Sequence, residues 1–139
     1  KLHELNKKIK ALNMKSVLTL EFFINASPSI LFPRLSTAGG LVEWFADDIR
    51  VRENIFTFIW NGVEHPARIL DQKKNNYIRY KWLEDTDEES YFEFKIMEDD
   101  LTGDVALVIT DFAEEDEKSD VTILWEKQVD NLKKALGVI

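Results

Sequence analysis

Cysteine is absent from this 139-residue chain, and glycine (five), proline (three) and histidine (two) are scarce. Each scarcity removes a class of chemistry. Without cysteine there is no disulfide, thiolate nucleophile or zinc knuckle. With histidine only at His3 and His65, a transition-metal centre lacks its usual ligands. The chain shows no phosphate-binding glycine loop, dinucleotide fingerprint or Gly-x-Ser-x-Gly elbow, and Gly39-Gly40 has no glycine partners at the required offsets. No apolar run approaches the roughly 20 residues of a membrane-spanning helix, and no basic-then-apolar leader precedes a small-residue cleavage site. These absences lead to the expectation of a cytoplasmic protein with no cofactor, no metal and no catalytic constellation.

Basic charge is missing where it would matter for nucleic acid. Residues 1–83 hold 13 Lys/Arg against 8 Asp/Glu, a net of +5, whereas residues 84–139 hold 5 against 18, a net of −13. Phosphate affinity comes from clustered basic side chains, so nucleic acid is not expected as a partner. A basic or cationic partner suits this charge better. What the chain does have is apolar and aromatic mass: 45% hydrophobic residues, with four Trp and nine Phe. One domain of this length buries roughly two-thirds of the surface its unfolded chain exposes.

Residues 1–14 space Leu2, Leu5, Ile9 and Leu12 as one helical stripe. Two heptads are too short for a coiled coil, so this part is expected to be an amphipathic N-terminal extension, with 15–139 as the folded domain and a monomer or weak dimer as the assembly. Leu18, Leu20, Phe22 and Ile24 alternate as one face of a strand. Ser27 is placed to cap a helix starting at Pro28 and turning Ile30, Leu31 and Leu35 inward. Gly39-Gly40 is expected to break or bend the chain before a second short helix ending near Ala46. Six strands follow: around Ile49–Val51, Phe56–Trp60, Ala67–Leu70, Ile78–Trp82, Phe92–Ile96 and Val105–Thr110. Asn61-Gly62 signals a tight hairpin. Ser119 or Asp120 is the expected cap of a final helix that Gly137 stops, with Val121, Trp125, Val129, Leu132 and Leu136 as its apolar stripe.

These pieces resemble the START-like, helix-grip superfamily, and within it the branch related to activators of the ninety-kilodalton heat-shock chaperone ATPase. The resemblance rests on Ala26-Ser27-Pro28 through Leu35 to Leu41-Val42-Glu43-Trp44-Phe45-Ala46, and on the closing Trp125-x3-Val129-x2-Leu132-x3-Leu136. It spans about residues 16–137. It implies an α+β fold, a curved seven-stranded antiparallel sheet wrapped around the long C-terminal helix, with two short helices after the first strand. It also implies a cavity for an apolar ligand between sheet and helix. The family's last strand often ends in a threonine-histidine pair before Gly-Phe. Here it reads Thr110-Asp111-Phe112-Ala113, so no histidine role carries over.

Trp44, Phe58, Trp60, Tyr80, Trp82, Phe94 and Trp125 are the candidate ligand-lining residues, and Phe92 would face the helix with them. The same side chains can instead be plain core filling the space. On the family's plan the cavity mouth is rimmed by Asp85, Asp87, Glu88, Glu89 and Glu114, Glu115, Asp116, Glu117. Asp85-x-Asp87-x-Glu89 departs from a calcium loop, with Ser90 in place of the sixth-position glycine and Ile96 in place of the closing glutamate. His65 reads as a strand-end surface residue, since a general base needs a partner within hydrogen-bond reach. The leading expectation is a non-enzymatic domain binding a small hydrophobic ligand. The rivals are a protein-interaction module resembling the chaperone-ATPase activators, and a cyclase-type enzyme.

Overall fold

Apolar and polar residues alternating in several runs, together with the wholly apolar Val105–Ile109, produce seven strands in the computed structural model, which describes residues 1–5 and 14–139. The elements are β1 (Lys15–Phe23), α1 (Pro28–Ser36), α2 (Ala38–Leu41), β2 (Asp48–Arg52), β3 (Ile55–Trp60), β4 (Val63–Lys73), β5 (Tyr77–Trp82), β6 (Phe92–Glu98), β7 (Val105–Glu114) and α3 (Lys118–Leu136). Every strand pairing is antiparallel, in the order β1-β7-β6-β5-β4-β3-β2. The first strand pairs with the last and forms one edge of the open sheet: Lys15 lies opposite Glu114 and Phe23 opposite Ala106. Ile9 and Leu12 of the N-terminal stripe lie outside the described residues, while Leu2 and Leu5 are exposed. Among the described residues no helix is long and apolar enough to cross a membrane.

Asn61 and Gly62 both take positive φ (52° and 78°), the two-residue hairpin geometry that favours Asn-Gly. β4 runs through Pro66 where the sequence suggested a start at Ala67. Pairs alternate along a hairpin, and counting from the turn makes Thr57–Pro66 a pair without mutual hydrogen bonds, so the missing N–H costs the β3 side of the ladder nothing. The register shifts between Ile69 and Asp71. The extra residue, Leu70, makes a bulge that bends β4 and strengthens the sheet's curvature.

Three expectations for the helices are corrected. Ile30 is exposed, and Phe32 takes the buried place beside Leu31 and Leu35. Gly39 and Gly40 lie inside α2 and do not break the chain before it. The reason is space, because a Cβ on Gly40 would sit 2.0 Å from the Pro33 carbonyl oxygen. α2 is capped by Thr37, whose hydroxyl accepts from the Gly40 amide at 3.0 Å. α3 begins at Lys118, ahead of its candidate caps: the chain winds through a 3-10 turn at Glu115–Glu117, so Ser119 and Asp120 are already helical.

α3 lies against the sheet through Trp125, Val129 and Leu132, all buried, flanked by Val121 and Leu136. At about 1.5–3 kcal/mol per fully buried side chain, this stripe is a main source of gross stabilisation. Beneath it Phe45 sits at the centre of an aromatic cluster. Its ring stacks on Trp125 at 5.7 Å and meets Phe58 edge-on at 5.1 Å. Tyr80 and Phe92 stack at 4.9 Å. Tyr80 donates its hydroxyl to the Leu35 carbonyl at 2.8 Å, which ties α1 to the sheet and leaves no unpaired phenol inside.

Candidate functional site

β3, β5 and β7 end their inward-facing series at the same rim of the concave face. Phe56 and Phe58 lead to Trp60, the last residue of β3; Ile78 and Tyr80 lead to Trp82, the last of β5. On β7 the inward positions Val105, Leu107 and Ile109 continue to Asp111. Beyond these residues the cover from the short helices runs out. A cleft of about 420 Å³ opens there, walled by Phe45, Trp60, Trp82, Asp111, Val121, Leu124, Trp125 and Gln128.

Two of the indole N–H groups are fixed from behind. Trp60 donates to the Phe45 carbonyl at 2.8 Å, and Trp125 donates to Asp111 Oδ2 at 2.9 Å. Both rings are thereby held rigidly. Asp111 Oδ1 accepts from the Phe112 amide at 2.8 Å. Burial pushes the Asp111 carboxyl above the usual carboxylate range; the Trp125 indole and the Phe112 amide oppose that without cancelling it. Gln128 contributes a solvent-shielded Oε1 with no hydrogen-bond partner among the described residues. A buried acceptor in that state is costly unless something donates to it.

Trp60 and Trp82 also form one wall of a wider basin of about 790 Å³, whose floor and rim include Lys15, His65, Glu84, Asp85, Asp87 and Glu114. His65 Nδ1 meets Glu84 Oε1 at 2.7 Å, and its ring lies 5.7 Å from Trp60. The strand-end reading of His65 therefore acquires a partner and an aromatic neighbour. The Glu84–Ser90 loop holds itself in shape with its own carboxylates. Asp85 accepts from the Asp87 amide (2.9 Å), the Ser90 hydroxyl (2.6 Å) and Lys15 Nζ (2.9 Å). Burial alone would raise the Asp85 pKa, but these three donors outweigh it and hold it down to about 2. Asp87 in turn accepts from the Glu89 amide at 3.0 Å. Among the described residues no three His, Asp or Glu side chains gather as a metal would require. Of the eight expected rim carboxylates, Asp85, Asp87 and Glu114 border the basin.

The seven candidate residues separate into three places. Trp60, Trp82 and Trp125 come together on the cleft. Phe58, Tyr80 and Phe94 lie fully buried in the interior. Trp44 borders a separate hollow along the flank of α3, and its indole donates to the Arg34 carbonyl at 2.7 Å. Sequence reasoning did not single out Phe45, Asp111 or Gln128 as lining residues. For Asp111 a signal exists: a carboxylate at an inward position of an otherwise apolar strand series. Gln128 offers none, because its neighbours on the helix wheel include exposed polar residues.

Comparisons with known proteins agree with this architecture. The family profile described as a START-like superfamily domain matches residues 12–138. A solution structure of BfR322 from Bacteroides fragilis is 38% identical, the match covering 90% of this chain and 93% of that one with a TM-score of 0.65. The Aha1 dimer from Colwellia psychrerythraea is 18% identical over 87% of this chain and 96% of that one, TM-score 0.73. CalU16 from Micromonospora echinospora is 16% identical over 88% and 75%, TM-score 0.64. The last two likenesses speak to the fold alone. No curated protein matches the chain significantly.

Proposed function

The chain belongs to the START-like superfamily, and from that premise we propose that it is a binding domain for a small, largely apolar molecule seated at the mouth between sheet and C-terminal helix. The observation that carries this reading is the cleft of about 420 Å³ with walls of Phe45, Trp60, Trp82 and Trp125 and only two polar anchors, Asp111 and Gln128. Small-molecule sites run to about 300–1,000 Å³ and have this composition, apolar walls with a few fixed polar groups. The solid aromatic interior restricts the reading: the ligand sits at the rim, against Trp60, Trp82 and Trp125, and the deep residues Phe58, Tyr80 and Phe94 support those walls.

The indole N–H resonances provide the test. Titration with 2-naphthalenemethanol and with decanol, followed by proton–nitrogen correlation spectra, should move the indole signals of Trp60, Trp82 and Trp125. Trp44, bonded to Arg34 away from the cleft, should stay still. Uniform or absent shifts with both probes would rule the cleft out.

A second reading, a protein-interaction module of the co-chaperone kind, is supported by one apolar surface at the opposite end of the sheet. Phe23 is 72% and Ile30 59% exposed, and both border a hollow with Ile24 and Val105. The fold likeness to the Aha1 dimer is consistent with it. Concentration-dependent sedimentation separates self-association from the monomeric ligand carrier.

A further inference from the structure

The cleft's charge and hydrogen-bonding sense narrow its ligand further. We propose, building on the binding-domain reading, that the ligand is an organic cation: a flat apolar body carrying an ammonium or similar positively charged head.

The first support is what the site offers to a polar head. Asp111 and Gln128 are the polar residues of the cleft wall; the Trp60 N–H is donated away to the Phe45 carbonyl, and the Trp125 N–H is donated to Asp111 itself. An anionic head would meet few free donors and a buried carboxylate. A cationic head would donate to Asp111, and would offset the cost that burial places on the Asp111 charge.

The second support is the walls. The rings of Trp60, Trp82 and Trp125 line the space, and an indole face attracts a cation, most strongly when water is excluded. The third is the approach. The adjoining basin, which shares Trp60 and Trp82, presents one lysine against four carboxylates, Glu84, Asp85, Asp87 and Glu114. That lysine, Lys15, is bound to Asp85 at 2.9 Å. A mouth of one sign focuses the field and concentrates ligands of the other. The start of α3 carries the positive end of a helix dipole, but Glu115, Asp116 and Glu117 stand in front of it.

Three probes with the same naphthalene body and different heads decide the matter: 2-naphthylmethylammonium, 2-naphthalenemethanol and 2-naphthoate, titrated calorimetrically into the full chain at low and moderate salt. The expected order is ammonium at least tenfold tighter than alcohol, with naphthoate weakest, and only the ammonium weakened by salt. Asp111→Asn should lower ammonium affinity at least fivefold and leave the alcohol within about twofold. The rim variants Glu84→Gln, at an exposed site, and Asp87→Asn, at a half-buried one, should each weaken the ammonium and flatten its salt dependence. Equal affinity of all three probes, or preference for naphthoate, would overturn the cation proposal while leaving an apolar binding site standing. If none of the three binds, the binding-domain reading fails and this proposal with it.

Discussion

Two ends of one concave surface, built from the same alternating strands, have different fates. In the interior Phe58, Tyr80, Phe92 and Phe94 are fully buried, with rings at 4.9–6.3 Å from one another and the one phenol satisfied by Leu35. At the mouth Trp60 and Trp82 are only half-buried, Gln128 Oε1 has no partner among the described residues, and a carboxylate takes the inward position that Ile109 holds one step deeper. The alternation does not distinguish them. What does is cover: α1, α2 and Phe45 close one end of the groove, and among the described residues no element closes the other. The last inward residue of each strand thus becomes wall instead of core.

Phe58→Ala should show the largest effect on stability, roughly 3–5 kcal/mol, because the cavity it leaves is ringed by aromatics that cannot collapse into it. Urea unfolding measures this. Trp82→Ala should cost less, about 1–2 kcal/mol, since one side of the ring already faces open space. Probe binding should suffer in the reverse order, with Trp82→Ala removing a wall. If Trp82→Ala destabilises as much as Phe58→Ala, the mouth is core and the contrast between the two ends disappears.

That contrast also marks how far the sequence could be read. Period-two alternation, Asn61-Gly62 and the 125/129/132/136 stripe act locally, and each led to the element observed. The two-helix segment was harder, because the need for glycine at position 40 is a collision with Pro33 from a neighbouring turn, which no local pattern records. The start of α3 was missed for a related reason: three acidic residues that resemble a loop wind into a 3-10 turn ahead of the helix. At the site, the aromatic side chains were legible as a group, but their division into wall and core was not. That division depends on where the cover ends. Asp111 was legible as a departure from the family pattern, yet its partner Trp125 lies 14 residues away on another element.

The loop that borders the mouth should be acid-sensitive. Asp85, whose side chain is 12% exposed, has its pKa held down to about 2 by Ser90, the Asp87 amide and Lys15 acting against burial. A carboxylate with a depressed folded pKa stabilises the native state above its unfolded value, near 4, and that contribution is lost as pH falls through about 2. The expected size is on the order of 1–2 kcal/mol. Urea midpoints at pH 4 and pH 2 should fall further for the natural chain than for Asp85→Asn, and parallel changes in both would show that the loop carboxylate is not what anchors β1 to the mouth.

The smallest effect is expected at Asp111, and its sign changes with pH. Burial raises its folded pKa above the unfolded one, so the ionised carboxylate costs stability at neutral pH. The cost disappears as pH falls through the folded value towards the unfolded one. Lys15 and Asp85 act on it in opposite directions, which keeps their combined influence small. Asn at this position removes the charge but can accept only one of the two N–H bonds from Trp125 and Phe112, a loss on the order of 1 kcal/mol. The two changes oppose each other, so Asp111→Asn should lie within about 1 kcal/mol of the natural chain at pH 7. The variant should compare less favourably at pH 4, where the natural carboxyl no longer carries its charge penalty. Thermal unfolding at pH 4, 5.5 and 7 traces that crossing. A difference between the two chains that stays flat across this range would mean that water reaches Asp111 freely, and that the mouth is as wet as the outer face of the sheet.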